Sequence, residues 1–252
     1  MSVSFDRAAS YYDETRGFPP GVETHVGALF AQAGGLTRLS RVIEIGIGTG
    51  RIALPLSPHV GAYYGVDIST GMMARLRSKP GGASIHLAQA DAGKLPFPTA
   101  AFDAVIATHV FHLVSDVPGV LAEVARALRP GALLLHGWNI GIRDPLQEEW
   151  NRVARVNEEA MRRRTLLIDM GWTPVGGEHV YRFSVARAPQ EMVEMIQRRS
   201  WSGCWKMSDD EINALVDHLS GYISANYADP HTPVEHETGF TIQAYRPPAA
   251  QS

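Results

Sequence analysis

A doubly wound, mostly parallel α/β sheet with a helical insertion near its end is the fold that this sequence predicts, and three observations predict it. From about residue 40 to 140, apolar runs of strand length alternate with helical patterns, as strand–helix units of a parallel sheet require. The first run, "RVIEI", passes straight into a turn in which Gly46, Gly48 and Gly50 fall at every second position. After residue 140 the strict alternation stops, and two further strand patterns bracket a helical stretch.

In chain order, "RVIEI" is the first strand and "RIALPLS" the helix after the glycine turn, with Pro55 near its end. "AYYGVD" is the second strand, followed by the helix "STGMMARLRSK" with Ser69 or Thr70 as its cap. "SIHLAQAD" is the third strand and "AFDAVIATH" the fourth. In "SDVPGVLAEVARALRPG", Val117, Val120, Leu121, Val124 and Leu128 recur at helical spacing; Ser115 or Asp116 caps this helix, and Arg129-Pro130-Gly131 stops it. "ALLLHGW" is the fifth strand. The charged run "DPLQEEWNRVARVNEEAMRRR" reads as a helix whose buried side is Trp150, Val153 and Val156. "HVYRFSVARA" and "TGFTIQAYRP" are the last strands, and residues 189–226 between them carry two helices around a turn with Trp201 and Trp205. Ser208 with Glu211 three residues on is a capping box for the second. If the flanking strands pair, the 189–226 piece is an excursion from the end of the sheet and a candidate lid.

Composition bounds the function. At 252 residues and 45% hydrophobic the chain can bury a substantial core. A net charge of −3 argues against charge-driven binding to nucleic acid or a membrane surface. A single cysteine, Cys204, excludes an internal disulfide, a CxxC pair and a cysteine-ligated cluster. The polar start "MSVSFDRAASYYDETRG" is unlike a signal peptide, and no apolar run approaches the ~20 residues of a membrane span, so a cytoplasmic protein is expected.

In a doubly wound sheet, ligands bind beyond the carboxyl ends of the strands, which is where the glycine turn lies. A dinucleotide fingerprint wants Gly-x-Gly-x-x-Gly, and its third position here is Arg51; a phosphate loop wants Gly-Lys-Ser/Thr, which is absent. An adenosine ligand without a pyrophosphate fits better. Asp67, ending "YYGVD", is placed to accept hydrogen bonds from both ribose hydroxyls. Asp91, in "LAQADAGKLPF", is placed to accept from an adenine amino group while the Ala92 amide donates to the ring.

With these residues the sequence resembles the class I S-adenosylmethionine-dependent methyltransferases, most closely the small-molecule (type 11) subgroup related to quinone-biosynthesis enzymes. "VIEIGIGTGR" resembles the first motif of that family, "YGVDIS" the ribose-binding acid with Ile68 behind it, "ADAGKLPFPTAAFDAVIATHVFHLV" the adenine region and fourth strand, and "LRPGALLLHG" the fifth strand. The N-terminal "ASYYDETRG" resembles the segment that folds over the cofactor. The match is specific over residues 5–140 and only an outline beyond. The resemblance implies a Rossmann-like sheet with an antiparallel last strand, arranged as one methyltransferase domain: an N-terminal helical cover (1–40), a cofactor-binding core (41–140), a helical segment (141–177), and the last strands with their insertion (178–246). It implies S-adenosylmethionine as cofactor, its methionine part lying against Gly46 and Gly48 and its amino group near Glu44. Asp67, Asp91 and Ala92 would hold the adenosine, and Thr108 and His109 would flank the sulfonium. Tyr12 or Tyr11 and Arg16 would close the site, Arg16 pairing with the methionine carboxylate.

His109 is the candidate general base, since the ordinary histidine pKa lies near the operating pH. His109 and His112 stand three residues apart, but no carboxylate at matching spacing completes a metal set, so no metal is expected. Trp138 and Asn139 at the end of the fifth strand, with Arg198, Trp201 and Trp205 in the insertion, are the candidate acceptor contacts. "AVIATH" stands where nucleic-acid amino methyltransferases carry Asn/Asp-Pro-Pro-aromatic, and no Pro-Cys nucleophile is present, so a small-molecule acceptor is expected at oxygen, carbon or nitrogen. Two rival readings remain: a nicotinamide-dependent oxidoreductase, which the glycine spacing opposes, and a catalytically silent S-adenosylmethionine-binding protein.

Overall fold

Val42, Ile43 and Ile45 are fully buried and Glu44 is nearly so, which places the five-residue strand β1 (Arg41–Ile45) between two covering layers. A computed structural model describes residues 5, 6, 9, 11–142, 144–153 and 165–249. β1 pairs in parallel with β2 (Ala62–Asp67) on one side and β4 (Phe102–Thr108) on the other, so that Ile43 lies beside both Tyr64 and Val105. β3 (His86–Gln89) extends the sheet from β2, and β5 (Leu128–Ile140) extends it from β4, both in parallel. With β6 (Thr173–Arg187) and β7 (Val234–Arg246) the order is β3-β2-β1-β4-β5-β7-β6, the last strands being antiparallel. The strand order reverses between β1 and β4, and the glycine turn follows β1, at that switch point.

Helix α1 (Tyr12–Arg16) and helix α2 (Val22–Gly34) precede the sheet, and α2 buries Val26 and Phe30. Helix α3 (Ala53–Leu56) is a single turn, because Pro55 leaves it little to propagate. Helix α4 (Thr70–Arg77) is capped by Ser69, whose hydroxyl accepts from the Met72 amide. Helix α5 (Val117–Ala127) is capped by Asp116 and packs Val120, Leu121 and Val124 into the core cluster that holds Ile43, Ile45 and Val105.

The structure departs from the sequence reading at several boundaries. The third strand ends at Gln89, so Asp91 stands in the following turn. Leu128 leaves the helical face to become the first residue of β5, and Arg129-Pro130-Gly131 runs inside that strand. A register shift opposite Phe102 and Ala104 accommodates this stretch, the kind of irregularity that lets a proline enter a strand. Val153 is 36% exposed and therefore not part of a buried face, whereas Trp150 is buried as expected; Val156 lies outside the described residues.

The chain divides into two compact units: residues 1–139 with 163–181 and 240–252, and residues 140–162 with 182–239. The second unit contains helix α6 (Pro145–Val153), helix α7 (Pro189–Gln197) and helix α8 (Asp209–Asn226). It has its own core, in which Leu146 and Trp150 meet Val193, Ile196, Leu215 and Leu219. The expected capping box is present: Ser208 Oγ accepts from the Glu211 amide (3.2 Å) and Glu211 accepts from the Ser208 amide (2.7 Å). Among the described residues no helix is long and apolar enough to cross a membrane.

Candidate active site

The turn after β1 is built on three left-handed residues, Gly46, Gly48 and Gly50, with φ of +67°, +53° and +82°. The amides of Gly46 and Ile47 both donate to the carbonyl of Val66, tying the turn to β2. The glycines serve different ends. A Cβ at Gly50 would stand 2.2 Å from Leu76 Cδ1, so this glycine allows close packing on α4. A Cβ at the buried Gly48 would stand 3.3 Å from Met72 Cε, the movable end of a flexible side chain, and 4.0 Å from the Gly46 carbonyl, so this glycine is less closely packed than Gly50.

Asp67, the last residue of β2, faces the turn. Its Oδ2 accepts from the Gly48 amide (2.8 Å) and its Oδ1 from the Ser69 amide (2.8 Å). A carboxylate offers about four acceptor positions, so capacity remains for a ribose hydroxyl. Burial pushes its pKa up, against the backbone amides that pull it down. Glu44, 3% exposed on β1, accepts from the hydroxyl of Tyr63 (2.9 Å), and burial raises its carboxyl to about 8 despite that bond. A buried, largely neutral acid at this place gains from meeting a ligand ammonium.

Asp91 Oδ1 accepts from the Gly93 amide (2.8 Å), an Asx turn that sets the loop after β3. Asp91, Gly93 and Lys94 line one side of a cavity of about 240 Å³, with Ser115, Asp116 and Val120 opposite. Ala92 is buried beneath.

At the end of β4, His109 adopts a left-handed backbone (φ +52°), uncommon outside glycine. Its Nε2 and the neighbouring Thr108 Oγ1 are sealed from solvent with no hydrogen-bond partner among the described residues. Burial, then the charges of Arg51, His112, Arg16 and His136, hold His109 well below its usual pKa, so it is a neutral imidazole at pH 7. Trp138 Nε1, on β5, is likewise sealed and unpartnered.

The N-terminal segment is fastened to this site by two carboxylates. Asp13 accepts from Thr49 Oγ1 (2.6 Å) in the glycine turn and from Lys79 Nζ (2.8 Å). Asp6 accepts from the Ser69 hydroxyl and from the Gly71 amide (3.1 Å) at the start of α4. Tyr12 is thereby brought within electrostatic reach of Arg16, Arg51, Asp67 and Glu44.

An adenosyl amino acid fits this arrangement. Asp67 and the loop at Asp91 carry acceptors that suit hydroxyls and a base amino group, and Glu44 is an acid that suits an ammonium.

Residues 43–136 match the family described as "Methyltransferase domain". The phosphatidylethanolamine N-methyltransferase of Cereibacter sphaeroides is 40% identical over 98 residues, which cover 37% of this chain and 48% of that one. YcgJ of Bacillus subtilis, described as an uncharacterized methyltransferase, is 28% identical over 167 residues, 65% of each chain. The solved structure of YcgJ superposes with a TM-score of 0.55 at 20% identity, covering 88% of this chain and 98% of that one. Haemonchus contortus phosphoethanolamine N-methyltransferase 2, solved with phosphomonomethylethanolamine and S-adenosylhomocysteine, superposes with a TM-score of 0.53 at 21% identity over 97% of this chain and 58% of that one. The aligned stretches span about half to two thirds of the curated relatives' length.

The first unit thus holds Tyr12, Arg16, Glu44, Gly46, Gly48, Asp67, Thr108 and His109 at or near the carboxyl ends of β1, β2 and β4, with Asp91 lining the cavity, Ala92 buried next to it in sequence and Trp138 on β5. Asn139 also belongs here, through Arg51. Arg198, Trp201 and Trp205 belong to the second unit. There Arg198 is exposed beside Glu194 (3.4 Å), Trp201 packs edge-on against Trp150, and Trp205 Nε1 donates to the Arg199 carbonyl (2.8 Å). Sequence reasoning missed Asp6, Asp13, Thr49, Lys79 and Arg51. Arg51 alone had a signal, as the side chain standing where a dinucleotide turn would need glycine.

Proposed function

We propose that this protein transfers a methyl group from S-adenosylmethionine to an oxygen, carbon or nitrogen of a small-molecule acceptor. The observation that carries the proposal is the Gly48–Asp67 pair: a left-handed glycine turn whose amide is held by an acid with spare acceptor capacity, within the stretch that matches the methyltransferase-domain family. The methyl group on a sulfonium is electrophilic, so the protein has chiefly to align an attack and keep water out. Glu44 would hold the cofactor ammonium and Arg16 its carboxylate, Asp67 the ribose, and Asp91 with Ala92 the adenine. Thr108, His109 and Trp138, whose sealed polar atoms have no hydrogen-bond partner among the described residues, would border the sulfonium and the acceptor. Where the acceptor must lose a proton, neutral His109 would take it at Nε2. Asn139 would contact the acceptor. A small acceptor, without nucleic acid, and a cytoplasmic setting complete the reading.

The test is calorimetric titration with S-adenosylhomocysteine, with NAD and NADP in parallel, followed by a radiolabelled methyl-transfer screen. Micromolar binding of S-adenosylhomocysteine alone is expected. Binding of NAD instead would overturn the function and leave the fold; cofactor binding with no transfer to any acceptor would favour a silent binder.

A further inference from the structure

Among the described residues no carboxylate pairs with Arg51. Its guanidinium stacks on Phe18, 3.8 Å from the ring centroid, and Nη2 donates to the neutral amide oxygen of Asn139 (3.0 Å). Its Nε is sealed from solvent and has no hydrogen-bond partner among the described residues. Burial disfavours its charge and Arg16 repels it, while the nearby Tyr12, its pKa raised by burial, is a neutral phenol. Other arginines of the same unit are differently placed: Arg126 sits on Glu123 at 2.7 Å and Arg129 pairs with Asp103. Holding a guanidinium in a desolvated place beside a second cation is costly unless an anion joins it.

A second polar group on that face points the same way. Thr108 pairs with Gly137 across β4 and β5, so its side chain lies on the sheet face of Asn139, whose amide oxygen receives Arg51 Nη2. The Thr108 hydroxyl is sealed and has no hydrogen-bond partner among the described residues. An obligate donor and a hydroxyl on one face at the strand ends call for a ligand rich in oxygen lone pairs. Resting on the methyl-transfer reading, in which Arg16 takes the cofactor carboxylate, we propose that the acceptor carries an anionic oxo group, carboxylate or phosphate, and that Arg51 is its binding residue.

The experiment titrates the S-adenosylhomocysteine-saturated protein with benzoate and with phenyl phosphate, for wild type, Arg51→Gln and Arg51→Lys, each checked for an unchanged melting profile. At least one anion should bind the wild type and weaken tenfold or more in Arg51→Gln, with a smaller loss in Arg51→Lys. S-adenosylhomocysteine itself should bind all three proteins alike. Whichever anion binds identifies the group. Should Arg51→Gln instead weaken S-adenosylhomocysteine tenfold, Arg51 holds the cofactor carboxylate and the proposal falls. It falls equally if neither anion binds, or if binding ignores Arg51. If S-adenosylhomocysteine fails to bind the wild type, the methyl-transfer reading fails first, and repeating the anion titrations without it judges Arg51 alone.

Discussion

Asp67 holds the backbone of Gly48: its Oδ2 accepts the glycine amide at 2.8 Å, across nineteen positions of sequence. One carboxylate thus shapes the turn and presents its remaining lone pairs to whatever the turn receives. Replacing Asp67 by alanine removes both roles, and cofactor affinity should fall by roughly 1–3 kcal/mol. The check is calorimetry with S-adenosylhomocysteine; unchanged affinity would remove Asp67 from the ribose site.

Gly48 and Gly50 should separate binding from stability. Gly50→Ala drives a methyl group into Leu76, so thermal stability should drop by about 1–3 kcal/mol. Gly48→Ala presses at 3.3 Å on Met72 Cε, which can yield, and costs a left-handed strain of about 1–2 kcal/mol, while it would crowd a cofactor held by the turn. Its cofactor affinity should fall far more than its melting temperature. Equal behaviour of the two variants would mean that Gly48 serves packing and not binding.

Glu44 makes cofactor binding release a proton. Burial holds its carboxyl near 8 in the free protein, and a ligand ammonium would lower it. Affinity should therefore rise with pH up to about 8 and then level off. Calorimetry in buffers of different ionisation enthalpy reads the proton directly, and Glu44→Gln should abolish it. The same acid is ionised above its ordinary pKa of 4.5 in the unfolded chain and neutral in the fold until about 8, so stability drains as pH rises through that window. Glu44→Gln should accordingly raise the melting temperature at pH 8, by ~2–4 °C for each kcal/mol relieved.

The buried histidines act in the opposite sense on the acid side. Burial keeps His109 well below 6.5 and lowers His136 to about 4, so the unfolded chain takes up protons that the fold refuses. Stability should fall as pH drops below 6.5 toward 4, by up to ~1.4 kcal/mol per pH unit for each histidine. Denaturant midpoints at pH 7 and 5 should draw together in the His109→Asn, His136→Asn double variant. An undiminished gap between the two pH values would place the acid sensitivity elsewhere.

Much of the first unit was legible in the sequence because its elements are local. β1, β2 and β4 are short apolar runs, the caps at Ser69, Asp116 and Ser208 announce their helices, and the glycine turn marks the switch point. Boundaries failed where long-range pairing overrode local signals, as when the Pro-Gly stop at 130–131 was drawn into β5 by its pairing with β4. The ties of Asp13 to Thr49 and Lys79, 36 and 66 positions away, leave no local pattern at all. Arg51 was visible as a side chain, but its want of an anion is a property of its surroundings in three dimensions.

The left-handed backbone at His109 also limits which neighbours in sequence space this site can reach. Only glycine, and less readily asparagine, aspartate or histidine, occupies φ near +52° without strain. A mutational library at position 109 should therefore be enriched in no side chain, an amide, a carboxylate or an imidazole, other residues costing about 1–2 kcal/mol, a strain that Ala100 and Arg199 bear elsewhere at φ +55° and +51°. Each of these would set a different polar group, or none, beside Thr108. Diversification toward new acceptors would then have to proceed at Arg51, Trp138 and Asn139, where the backbone imposes no such toll.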